Sequence, residues 1–173
     1  MRIFDKEREL MTFFKTLAAS AAISVVALGA SAQGWDPNRI ITSVTSADME
    51  AIITGAGHTV TRVIPADGSG GPIVVGQHTQ NGLTFLLAGN ACGGGDSCNG
   101  LEIIVLWDHN DRTRNPAVQM ELNQVYAALK VMTTDSSIGV QRYLILDRGQ
   151  TMDNIGFDVN VTLNLAADFQ DLL

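Results

Sequence analysis

Residues 83–107 read LTFLLAGNACGGGDSCNGLEIIVLW, and the fold class turns on them. The flanking runs, LTFLLAG (83–89) and LEIIVLW (101–107), are almost continuously apolar, short and bounded by glycine. Such runs suit central β-strands covered on both faces better than helices, which are usually longer. Between them, Cys92 and Cys98 bracket Gly-Gly-Gly-Asp-Ser. The glycines let the chain double back until two Cα atoms come within the roughly 7 Å that a disulfide needs. The spacing is not that of a C-x-x-C redox motif, so a structural clip across a loop is the expectation. Two free buried thiols, or half of a metal site, are the alternatives, and no further cysteine or histidine clusters nearby.

Upstream, HTVTRVI (58–64) is β-branched, PADGSGG (65–71) is a turn, and PIVVGQ (72–77) is its hairpin partner. Asn81-Gly82 marks another tight turn. A short helix is predicted over 47–54, capped by Thr45 or Ser46, helped by Asp48 and Glu50 at its positive end, and stopped by Gly55 or Gly57. Residues 33–45 have no clear period and read as a linker or entry segment.

Downstream, Asn115 caps and Pro116 opens a helix predicted to run to Met132. Val118, Leu122, Val125, Leu129 and Met132 form one stripe that would pack on a sheet. Two strands then follow, QRYLILD (141–147) and IGFDVNVTL (155–163). In the second, Ile155, Phe157, Val159, Val161 and Leu163 alternate with polar or small residues. The closing NLAADFQDLL starts a helix with Leu165, Phe169 and Leu172 on one face. Strands in hairpin runs with helices segregated between them predict an α+β fold, a mainly antiparallel sheet with helices packed on one face.

The 173 residues are 46% apolar and 17% charged, with 18 acids against 11 bases and a net charge of −7. A disordered chain is excluded by that apolar fraction. Nucleic-acid binding by phosphate neutralisation is excluded by the lack of basic surplus. The opening residues read as an export signal. Lys15 precedes an apolar run from Leu17 to Ala30, and Ala30-Ser31-Ala32 offers a signal-peptidase pattern with cleavage between Ala32 and Gln33. Residues 1–10 carry Asp5, Glu7 and Glu9, which is unusual for such a segment, so Met11 is an alternative start. The run is too short to span a bilayer comfortably, so no stable membrane insertion is expected after cleavage. Periplasmic or secreted release suits a disulfide.

Over about 46–173 the chain resembles the exported branch of the YbjN-domain family. The resemblance rests on an order of features: TFLLAGNAC (84–92), CNGLEIIVLW (98–107), an asparagine-bearing helix (ELNQVYAALKVM, 121–132), RYLILD (142–147), and FDVNVTLNLAADF (157–169). The triplet Asp158-Val159-Asn160, with the cysteine pair, is its most specific part. Three departures stand out: the family's N-x-W-N helix motif reads Asn123-Gln124-Val125-Tyr126, the segment between the last two strands is long, and the closing helix is short. The resemblance implies a fold like that of type III secretion chaperones, often dimeric, with a sensory or regulatory rather than enzymatic role. It brings no agreed catalytic residues and no ligand.

The densest polar cluster is Asp108-His109-Asn110-Asp111-Arg112, at the end of a predicted strand. Asp108, His109 and Asp111 could form a metal or acid–base site. The competing reading is a solvated strand-to-helix loop, where Asp and Asn favour turns. His58 and His78 lie at the edges of hairpin strands and read as surface residues. The glycine-rich pieces GSGG (68–71) and CGGGD (92–96) lack the lysine and following helix of a phosphate cradle. The expectation is a non-catalytic exported binding or regulatory module without cofactor or metal, engaging a protein or peptide through a sheet face or dimer groove. A small metal-dependent enzyme or metal binder centred on Asp108, His109 and Asp111 is the alternative.

Overall fold

The structure is a computed structural model that describes residues 34–68 and 70–173. The signal segment, its cleavage point at Ala32–Gln33 and the alternative start at Met11 lie outside the described residues.

Six strands form one antiparallel sheet in the order β2-β3-β4-β5-β7-β6. They are β2 (Thr59–Ile64), β3 (Ile73–Gln77), β4 (Thr84–Cys92), β5 (Cys98–Asp108), β6 (Lys130–Thr133) and β7 (Ser137–Ile145). The two apolar runs read first, in β4 and β5, are the central strands. A two-stranded sheet joins β1 (Ile40–Ile41) to β8 (Gln150–Thr151). Three helices, α1 (Ser46–Gly55), α2 (Pro116–Val125) and α3 (Met152–Gln170), complete the α+β fold.

Alternation along each strand divides the sheet into two faces. On one face, Phe85, Leu87, Leu101, Ile103, Val105, Ile138 and Val140 share a core with Ile52 of α1, Leu122 of α2, and Ile155, Leu163 and Phe169 of α3. Each fully buried aliphatic side chain there contributes about 1.5–3 kcal/mol of transfer free energy. On the other face, Ile73, Val75 and Leu86 form a second apolar cluster with Ile64, Ala88, Ile104 and Leu106, and among the described residues no helical one belongs to it. Register explains the rows: Val75 faces Leu86, which faces Ile104, while Ile64 faces Ile73, which faces Ala88. At the β2 edge the pairing slips between Val60 and Arg62, a bulge in an otherwise regular ladder.

The local signals of α1 hold. Thr45 caps it through a reciprocal capping box with Asp48, and the Asp48 carboxylate also pairs with Arg39. Of the segment read as a linker, residues 34–45 are described and are more than that. Val44 is fully buried and exchanges backbone hydrogen bonds of 2.8 and 3.0 Å with Cys98, and Trp35 packs against the core.

Two sequence readings are corrected. Residues 155–163 are not a strand but the middle of the 19-residue helix α3. Thr151 caps this helix, its hydroxyl accepting from the Asn154 amide at 3.2 Å, and Asp153 lies in the first turn. Ile155, Val159 and Leu163 are four apart, so they satisfy a period of two and a helical period alike. Buried Gly156 and Thr162 and exposed Phe157 (64%) decide for the helix. NLAADFQDLL is therefore the end of this helix rather than the beginning of another.

The helix from Asn115 stops at Val125, not Met132. Asn115 caps it as expected, but Tyr126 is already extended (φ −124°, ψ 111°). Residues 130–133 join the sheet as β6, with Val131 opposite Val140. Asn123 stitches the two together by accepting from the Val131 amide at 2.9 Å. Of the predicted stripe, Leu122 and Leu129 are buried and Val125 is exposed. Strand β7 also begins earlier than the predicted 141 and ends at Ile145.

Cys92 and Cys98 are directly opposed partners on β4 and β5, with Cα atoms 4.0 Å apart, and are disulfide-bonded. Because the closed loop is short, its loss should be modest. The Cys92→Ala/Cys98→Ala chain is expected to lose about 2 kcal/mol in urea unfolding, and reductant should take a similar amount from the native chain.

Candidate functional site

The C-terminus of α1 positions the first residue of the site. Gly57, at φ +90°, turns the chain out of the helix, and the His58 amide then donates to the Ile53 carbonyl at 3.0 Å. His78 follows β3 and opens the Asn81-Gly82 turn, its amide donating to Leu83 at 2.8 Å. Because Thr59 pairs with Gln77, the next residue outward on each strand is a histidine. The two rings lie 4.8 Å apart, tilted by 57°, and His58 meets the Phe85 ring edge-on at 5.6 Å. Both histidines are buried, at 9% and 5% exposure, contrary to the surface reading.

Each ring is held by an amide oxygen, which can only accept. His58 Nε2–H donates to Asn160 Oδ1 at 2.9 Å, and His78 Nδ1–H donates to Asn81 Oδ1 at 2.6 Å. Asn81 Oδ1 also accepts from the Leu83 amide at 3.0 Å, which fixes its orientation. Among the described residues His58 Nδ1 is left buried without a hydrogen-bond partner, a deficit of about 1–3 kcal/mol. Burial lowers the His58 pKa from its ordinary value; the Asn160 hydrogen bond works against that, and charge on His78 adds to it. A cavity of about 370 Å³ opens beside the rings, lined also by Thr79, Gln80, Asn160 and Asn164.

The Asp158-Val159-Asn160 triplet acquires a physical meaning on the helix. Asn160 reaches His58, and Asp158, on another side of α3, pairs with Arg142 of β7 at 2.6 Å. Burial raises the Asp158 pKa, and the Arg142 guanidinium partly offsets that.

The Asp108–Arg112 cluster is arranged differently. His109 Nε2–H donates to the Thr134 carbonyl at 3.0 Å, and Nδ1 lies 3.0 Å from the Thr113 hydroxyl. Nε2 thus staples the loop after β5 to the turn before β7, while Nδ1 braces that loop internally. Asn110 donates to the Leu173 carbonyl, and Arg112 donates to that of Leu172. Asp108 and Asp111 are not drawn into a metal-binding group: among the described residues no three His, Cys, Asp or Glu side chains gather as one. The glycine-rich loops face one another across a hollow of about 550 Å³ beside the disulfide, where Ser46 donates to Asp96 at 3.0 Å.

Among the described residues no helix is long and apolar enough to cross a membrane. The disulfide is compatible with export. In comparisons with family models, curated proteins and solved structures, nothing matches this chain.

Proposed function

We propose that this chain is an exported, non-catalytic binding or regulatory module that engages a protein or peptide partner through the helix-free face of its sheet. One observation carries the reading. The apolar row Val75–Leu86–Ile104 belongs to a cluster that none of the described helices joins, and it runs between Arg62 on β2 and Lys130 on β6. Ile73, Val75 and Leu86 are themselves buried and Ile64, Ala88, Ile104 and Leu106 half-buried, so it is these four that a partner would cover. Lys130, at the β6 end of the row, favours a partner segment that carries an acid beside its apolar side chains.

The signal-like opening and the disulfide support release into the periplasm or beyond, after cleavage between Ala32 and Gln33. The resemblance to exported YbjN-domain proteins supports a sensory or regulatory role, with a homodimer as one form of engagement. The experiment places a photo-crosslinking residue at Leu106 or Ile104 in cells, with Phe157 on the helical side as the control. A discrete adduct from the sheet positions and none from Phe157 is expected. An adduct of twice the chain mass would identify a second copy as the partner. No adduct at the sheet positions, or the same adduct from Phe157, would overturn the reading.

A further inference from the structure

The histidine pair lies on the helical side of the molecule and is not needed for the sheet-face reading. We propose that His58 and His78 together bind a divalent transition-metal ion, zinc or copper, at the cavity between α1, the turn after β3, and α3.

Three observations converge on this site. The first is the way the rings are anchored. Histidine ligands of metals characteristically give their second N–H to a fixed acceptor, which sets the tautomer and orients the ring. Here Asn160 takes the N–H of His58 and Asn81 takes that of His78. In the neutral rings this leaves one lone pair each, on His58 Nδ1 and His78 Nε2. Of these, His58 Nδ1 is buried and has no hydrogen-bond partner among the described residues.

The second observation is distance. A metal–nitrogen bond of about 2.0–2.1 Å puts the ion roughly 3.2 Å from each ring centre. Ligand angles from square to tetrahedral then place two ring centres about 4.5–5.2 Å apart. The observed separation of 4.8 Å, with the rings tilted by 57°, leaves room for an ion between them when both free nitrogens turn toward it.

The third is the donor set. The adjoining cavity is lined by amide and hydroxyl side chains, Thr79, Gln80, Asn160 and Asn164, and by no carboxylate. Calcium and magnesium call for charged oxygen ligands, whereas two neutral imidazoles with amide oxygens and water suit zinc or copper. The net charge of −7 gives a cation a favourable surrounding field.

The test titrates the purified, chelator-stripped chain with zinc chloride and copper chloride, by calorimetry and by imidazole NMR. One equivalent should bind in the micromolar range, moving the signals of His58 and His78 but not those of His109. Magnesium and calcium should give no heat. His78→Ala and His58→Ala should each weaken binding by about 100-fold or more, and Asn160→Ala by about 10–100-fold. His109→Gln should leave it unchanged. No binding up to millimolar metal, binding undiminished in both histidine variants, or a shift centred on His109 would overturn the proposal. Should a variant fail to fold, the NMR titration of the unaltered chain decides on its own.

Discussion

Phe169→Ala is expected to lower the unfolding free energy by about 3–5 kcal/mol, and Leu163→Ala by about 2–5 kcal/mol. Both side chains are fully buried on the inner face of α3, and the Phe169 ring lies 5.6 Å from that of Trp107. Truncating either removes apolar area and leaves a cavity that the sheet beneath can close only in part. Phe157→Ala should change stability by no more than about 0.5 kcal/mol, because that side chain is 64% exposed. Urea unfolding of the three variants separates the two readings of this segment. An alternating strand would turn Phe157 inward and make its loss as costly as the others, an outcome incompatible with the helix.

Arg142→Met carries the second large expectation, a loss of about 2–4 kcal/mol at neutral pH. Arg142 on β7 and Asp158 on α3 pair at 2.6 Å, with side chains 27% and 11% exposed. Removing the cation leaves a nearly buried carboxylate without its counter-charge, and residual solvent access to the arginine sets the value below that of a wholly buried pair. Acid should repair this variant. Burial already raises the Asp158 pKa, and loss of Arg142 removes the one influence holding it down. A carboxyl whose pKa is higher folded than unfolded favours the fold once protonated. The gap between variant and parent should therefore narrow as pH falls from 7 toward 4 in denaturant titrations. A gap independent of pH would show that lost packing, not the stranded charge, is responsible.

Much of the fold is legible in short-range chemistry. Thr45, Asn115 and Pro116 start helices where capping rules place them, and Asn81-Gly82 turns the chain between β3 and β4. The elements misread are those whose fate is settled at long range. Ile155, Val159 and Leu163 fit both periods, and only the wider span from Met152 to Phe169, with the Thr151 cap, breaks the tie. Nothing between Tyr126 and Leu129 stops a helix by itself. Pairing of residues 130–133 with β7 claims that stretch for the sheet instead.

The same reasoning applies to the candidate site. Each histidine taken alone resembles a surface residue at a strand end. Carrying the hairpin register one step beyond Thr59 and Gln77 sets them side by side, so that juxtaposition could be read from sequence. Their contact with Asn160 could not, because it depends on residue 160 standing on a helix. Asp108, His109 and Asp111 show the reverse. They are close in sequence, yet the His109 ring is spent on bonds to Thr113 and Thr134.

The slipped pairing between Val60 and Arg62 bears on how this molecule tolerates crowding by its own kind. An uninterrupted border strand offers evenly spaced amides and carbonyls on which another chain can zip up, copy after copy, toward a fibre. Here the spacing breaks mid-strand, with Arg62 at the break, so an incoming strand loses step after one or two bonds. Self-association at high concentration is thereby steered away from open-ended polymers.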